Sequence, residues 1–118
     1  MKSYGMELIL DLSGCDPELF TKVKLTEYFI EACKIAKMER HGDPMFWKDF
    51  ESVEPHMKGI SAVQFIKTSN ITIHTLTLRC QVLINFFTCK DFDTDAVTEY
   101  SSKFFKGHPK YYQTVVRG

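Results

Sequence analysis

The chain has 118 residues, 44% of them hydrophobic and ten of them Phe, which supplies one core and leads us to expect a single domain spanning 1–118. Fifteen basic residues balance fifteen acidic ones, so no net field favours nucleic acid or an anionic membrane. No apolar run approaches the roughly 20 residues that span a bilayer, and Met1-Lys2-Ser3-Tyr4-Gly5-Met6-Glu7 lacks the apolar stretch of a signal peptide.

Met6, Leu8, Leu10 and Leu12 alternate with Glu7, Ile9 and Asp11, the pattern of a strand with one buried and one mixed face. Ser13-Gly14-Cys15-Asp16-Pro17 is a turn. From Lys22 to Met38, the residues Leu25, Phe29, Ala32, Cys33 and Ala36 recur at steps of three and four, predicting an amphipathic helix. His41-Gly42-Asp43-Pro44 ends it. Met45 to Phe50 is aromatic enough for a second strand or an irregular flap, and Glu51 to Lys58 is read as a loop. Ile60–Lys67, Ile71–Leu78 and Gln81–Thr88 follow as three strands with short connections, an antiparallel meander. Asp91-Phe92-Asp93-Thr94-Asp95 offers an N-cap for a helix carrying Ala96, Val97, Tyr100 and Phe104. Gly107-His108-Pro109 is expected to stop that helix, and Tyr111–Val116 to form a last strand. This order predicts an α+β, two-layer sandwich with two helices on one face of an antiparallel sheet. Its other face invites sheet-on-sheet dimerisation into an αββα arrangement.

The four cysteines, Cys15, Cys33, Cys80 and Cys89, are widely spaced with no Cys-x-x-Cys pair, so reduced thiols in a cytoplasm are expected. His41, His56, His74 and His108 show no zinc-like spacing, and no metal is expected. The expected partners are a small-molecule substrate and another copy of the chain.

Within this frame Thr68-Ser69-Asn70-Ile71-Thr72-Ile73-His74-Thr75 and Phe86-Phe87-Thr88-Cys89 put a hydroxyl, an imidazole and a thiol on neighbouring strands. Each alone is ordinary: a turn serine, a structural histidine, a small core cysteine. Taken together, with Gly59-Ile60-Ser61 placing Ser61 eight residues before Ser69 and Gly14-Cys15-Asp16 after the first strand, the pattern resembles the prokaryotic-type S-adenosylmethionine decarboxylase proenzymes.

That resemblance implies a pyruvoyl cofactor made from Ser69 by cleavage between 68 and 69. Ser69 would attack the carbonyl of Thr68, and the resulting keto group would form a Schiff base with the substrate amine and accept the electrons left by carbon dioxide. Side chains alone lack such a sink. It further implies that His74 transfers a proton during processing, that Cys89 donates a proton to the substrate, and that Ser61 holds the processing intermediate or substrate by hydrogen bonding. The function implied is decarboxylation of S-adenosylmethionine for spermidine biosynthesis.

The chain departs from the family pattern at three places. Thr68 stands where glutamate is usual and Asn70 where histidine is common, while Leu76-Thr77-Leu78 replaces a Trp-Pro-Glu that contacts the nucleoside. Trp47 or Phe50 would be substitute stacking surfaces. Loss of those contacts opens an alternative, pyruvoyl chemistry on arginine or ornithine, with Asp11, Glu51 or Glu54 as the carboxylate for a cationic substrate. A reading of another class is a non-processing regulatory paralogue paired with an active homologue.

Overall fold

A computed structural model describes residues 3–49 and 54–118. Phe50 and Glu51 lie outside the described residues. Six strands form one antiparallel sheet: β1 (Gly5–Ser13), β2 (Met45–Asp49), β3 (Gly59–Ile66), β4 (Ser69–Leu76), β5 (Gln81–Thr88) and β6 (His108–Arg117), in the spatial order β2-β3-β4-β5-β1-β6. Helices α1 (Lys22–Ile35) and α2 (Thr94–Phe105) pack on one face, giving the α+β sandwich that the alternation foretold.

The period-two pattern decides which side is core. Leu8, Leu10 and Leu12 of β1, Ile71 and Ile73 of β4, and Val82, Ile84 and Phe86 of β5 are buried under Leu25, Phe29, Ala32, Val97 and Phe105 of the helices. Residues of the opposite parity, such as Ile9, Asp11, Thr72, His74, Leu83 and Phe87, stay half-buried or exposed. Between the helices, Tyr28 is 0% exposed and its hydroxyl pairs with Ser101 Oγ at 2.6 Å, while Ser101 also reaches Val97 O. A phenol can sit in a core on those terms because its polar end is satisfied.

Helix ends follow their caps. Thr21 Oγ1 accepts from Lys24 N–H, and Asp93 Oδ1 accepts from Ala96 N–H. α1 stops at Ile35 instead of continuing to Met38, because Lys37 turns left-handed (φ 58°). Lys106 does the same after α2 (φ 57°), so the helix ends before His108-Pro109. β6 therefore starts at His108, three residues earlier than the aromatic pattern suggested: Ser13 pairs with His108 and Leu12 with Pro109, across a register shift at Asp11/Leu12. Pro109 is tolerated because β6 is an edge strand.

Met45–Asp49 is a strand, not a flap; it pairs with β3, Trp47 opposite Ser61. Pro55–Met57 forms one 3-10 turn inside the stretch read as loop. β4 begins two residues earlier than its β-branched run, at Ser69, since Lys67 and Thr68 alone make the turn from β3.

Candidate active site

Cross-strand pairing aligns one residue from every strand on the helix-free face: Trp47, Ser61, His74, Leu83, Asp11 and Tyr111. Directly opposed side chains in such a row touch. Ser61 Oγ lies 2.7 Å from His74 Nδ1, so the imidazole is oriented by a hydroxyl. Trp47, 72% exposed, walls one side of a shallow groove of ≈ 280 Å³ formed with Met45, Phe46, Val63 and Thr72 around that pair. A second hollow of ≈ 270 Å³ lies on the other side, lined by Met57, Gly59, Leu76 and Leu83.

Thr75 fixes this register. Its hydroxyl accepts from Ile60 N–H and donates to Ile60 O, both at 2.9 Å, clamping the start of β3 to the end of β4. Gly59 is required beside it, because a Cβ there would stand 1.7 Å from Thr75 O. The sequence motif contained both residues, but nothing in it signalled that they act as the clamp.

A second cluster sits at the opposite end of β4. Ser69 is buried at 5% exposure on the helix side, and its Oγ accepts from Cys89 N–H at 2.9 Å. Cys89 Sγ lies 3.8 Å from Lys67 O, and Thr68 Oγ1 donates to that same carbonyl at 2.8 Å. The loop after β5 is tied down by Lys90 Nζ, which donates to Lys37 O at the end of α1 (2.9 Å), and by Thr88 Oγ1, which bonds both Lys90 O and Met6 O. A cleft of ≈ 440 Å³ opens beside Cys89, lined by Ser3, Tyr4, Lys90 and Asp91. The Lys90 anchor has no local signature, since its acceptor is 53 residues away in sequence.

The thiols differ by environment. Hydrogen bonding from the Thr68 hydroxyl, then from Ser69, holds the Cys89 pKa below that of a free thiol. Thr68 Oγ1 also donates to Lys67 O, and its hydrogen bonding to the thiol is the larger of the two effects. Burial pushes Cys15 and Cys33 the other way, each to about 11. Among the described residues, no group of three or more His, Cys, Asp or Glu could hold a metal ion, and no helix is long and apolar enough to cross a membrane.

The structure thus brings Ser69, Thr68 and Cys89 together, and separately Ser61 and His74. It does not join the two clusters within one chain. His74 stands five positions along the strand from Ser69, roughly 17 Å at the usual rise, and the odd offset sends their side chains to opposite faces. Leu76 and Leu78 put aliphatic side chains at the β4–β5 turn, Leu76 half-buried and Leu78 exposed. Of the carboxylates considered for a cationic substrate, Asp11 lies in the His74 row two strands away, roughly 10 Å across the sheet, and Glu54 is exposed.

A model of the family described as S-adenosylmethionine decarboxylase matches residues 6–118. The chain is 37% identical over 102 residues to an S-adenosylmethionine decarboxylase proenzyme of Clostridium botulinum (strain Langeland), covering 85% of this chain and 82% of that one. It is 27% identical over 120 residues to the proenzyme of the same name from Pyrococcus furiosus, covering 100% of this chain and 81% of the relative. The crystal structure of the adenosylmethionine decarboxylase from Aquifex aeolicus superposes with a TM-score of 0.75 over 100% of this chain and 93% of that one; at 22% identity this likeness concerns the fold.

Proposed function

Because this chain belongs to the S-adenosylmethionine decarboxylase family, we propose that it acts as one unit of residues 1–118 that cuts itself between Thr68 and Ser69 and then decarboxylates S-adenosylmethionine for spermidine synthesis. The observation that carries the reading is the Ser69 environment: a buried hydroxyl at a hairpin turn, held by Cys89 N–H, with a thiol of lowered pKa beside it.

These residues fit the pyruvoyl group. Ser69 Oγ forms a bond to the Thr68 carbonyl carbon, the C–N bond breaks, and the hydroxyl proton passes to the freed amine. Loss of the Ser69 Cα proton then breaks the Cβ–O bond, releasing residues 1–68 with a carboxyl end; hydrolysis of the remaining enamine gives ammonia and a keto-ended fragment. When present, that group supplies the electron sink for decarboxylation. In this reading the Cys89 thiol holds the proton that replaces carbon dioxide; the closeness of Cys89 to Ser69 and Lys67 O supports that role.

His74 and Ser61 of the same chain are too far away to serve that Ser69. We therefore assign them to the site of a second copy, packed on the helix-free face to give the αββα dimer. Half-buried Ile9, Leu83 and Phe87 on that face would gain cover on association. The partner would then bring the Ser61–His74 pair, and the Trp47 surface next to it, to the start of β4, where the reacting Thr68 carbonyl carbon and Ser69 Cα are backbone atoms in the plane of the sheet and not on the helix side with Ser69 Oγ. In this reading the imidazole moves the processing proton and Trp47 supplies a flat wall for the nucleoside. The dimer would work in the cytoplasm.

The test is intact-mass spectrometry with carbon dioxide release measured from S-adenosylmethionine, arginine and ornithine side by side. Fragments 1–68 and 69–118 with turnover of S-adenosylmethionine support the reading. Turnover confined to the free amino acids would favour the alternative substrate class, for which Asp11 in the His74 row is the candidate cation partner. A persistent full-length species would mark a non-processing regulatory paralogue.

A further inference from the structure

We propose that the left-handed backbone of Thr68 is strained and that this strain speeds the cut at Ser69, with the β-branched side chain, where the family pattern has an unbranched glutamate, as its source in this chain. The inference rests on the self-processing reading above and adds to it a residue that sets how fast this peptide bond yields.

β3 and β4 are joined by a two-residue loop, Lys67-Thr68, closed by the Ile66–Ser69 pair. Of these two residues only Thr68 has positive φ, at 52°. That sign pattern, negative then positive, is the one in which the second loop position is normally glycine or asparagine. Residues with a branched Cβ are the worst fitted to it. Among the described residues, the other non-glycine residues at positive φ are Lys37, Cys80 and Lys106, all unbranched at Cβ; Lys37 and Lys106 follow helix ends, where this conformation is common. Thr68 is therefore the sterically least favoured of the four.

The turn cannot easily relax by shifting its neighbours. Ser69 is buried and its Oγ is bonded to Cys89 N–H, so the start of β4 is fixed. On the other side Lys67 O is approached by both Thr68 Oγ1 and Cys89 Sγ. Strain persists where the surroundings over-determine it, as they do here.

The acyl shift releases it. Ser69 Oγ bonds to the Thr68 carbonyl carbon as the C–N bond breaks and the hydroxyl proton moves to the amine. Oγ and Cβ then replace the amide nitrogen between that carbonyl and Ser69 Cα, which lengthens the tight loop by one rotatable bond. Thr68 can return to negative φ while β3 and β4 stay paired. A glycine in its place would have nothing to release, and asparagine, which tolerates this region, would have less.

The experiment follows freshly synthesised chains by intact-mass spectrometry with Thr, Val, Asn or Gly at position 68. Thr68→Val keeps the branch and loses the hydroxyl, so it is expected to cut within about threefold of the parent, with Thr68→Asn slower and Thr68→Gly slowest, about tenfold below the parent. In uncut Ser69→Ala chains, adding Thr68→Gly is expected to raise the urea midpoint. Cleavage of Thr68→Gly at the parent rate overturns the proposal, as does Thr68→Val being as slow as Thr68→Gly, which would give the role to the hydroxyl. If the parent chain never cuts, the self-processing reading itself falls and the proposal falls with it.

Discussion

Ser69 and His74 belong to the same strand and face opposite sides of its sheet, Ser69 beneath the helices and His74 in the open, bonded to Ser61. Two groups assigned to one reaction are thus held apart by the pleat. If a second copy bridges them, chains inactive for different reasons must rescue each other. Mixing Ser69→Ala with His74→Ala chains by co-expression should restore roughly a quarter of the parent carbon dioxide release, since half of randomly paired dimers carry one intact site out of two. Each variant expressed alone should release none above background.

Cys89 should titrate low in the uncut chain. The pKa shift is downward, so the thiolate appears at lower pH than for a free thiol near about 8.5. Alkylation of the Ser69→Ala chain should therefore label Cys89 ahead of buried Cys15 and Cys33, with a pH midpoint under the free-thiol value. Adding Thr68→Val should move that midpoint up, because the Thr68 hydroxyl is the largest cause of the shift. Peptide mapping of the labelled chain across a pH series reads both effects.

Thr75→Val should destabilise the fold by about 2 kcal/mol, because Ile60 loses both of its bonds to the Thr75 hydroxyl at a buried position while the side-chain volume is kept. Urea unfolding in the Ser69→Ala background measures it without interference from cleavage. The same change should slow the cut in the parent chain if the Ser61–His74 register matters to processing.

Tyr28 makes stability fall in alkali. Burial holds its phenol protonated well above the usual tyrosine range, and Ser101 only partly offsets that. The native state therefore keeps a proton that the unfolded chain gives up above about pH 10, so the stabilisation is complete below that pH and is lost as pH rises beyond it. Tyr28→Phe should cost about 1 kcal/mol at pH 7 by removing the bond to Ser101. It should also flatten the alkaline limb of a plot of urea midpoint against pH.

The sequence by itself determined the fold class. Alternation in Met6–Leu12, Ile71–Leu78 and Gln81–Thr88 and the three-and-four spacing from Leu25 to Ala36 fix which faces meet, because burial of one face is all that those periods require. Ser61, Ser69, His74 and Cys89 stood out only together, through the resemblance of their spacing to the family pattern, since each one alone is ordinary for a strand or turn. Element ends were less legible: α1 and α2 stop at left-handed lysines, and β6 begins at a proline-containing edge, choices that depend on surrounding contacts and not on composition.

Only the tertiary structure decided how those residues are grouped. Parity along β4 sends Ser69 and His74 to opposite faces, and the ladders to β3 and β5 then give Ser61 to His74 and Cys89 to Ser69. The Lys90 anchor on Lys37 and the Thr75 clamp on Ile60 join residues 53 and 15 positions apart, so no local pattern could encode them. The left-handed turn at Thr68 has the same origin: a branched residue prefers extended backbone, and the two-residue connection imposed by the Ile66–Ser69 pair overrides that preference.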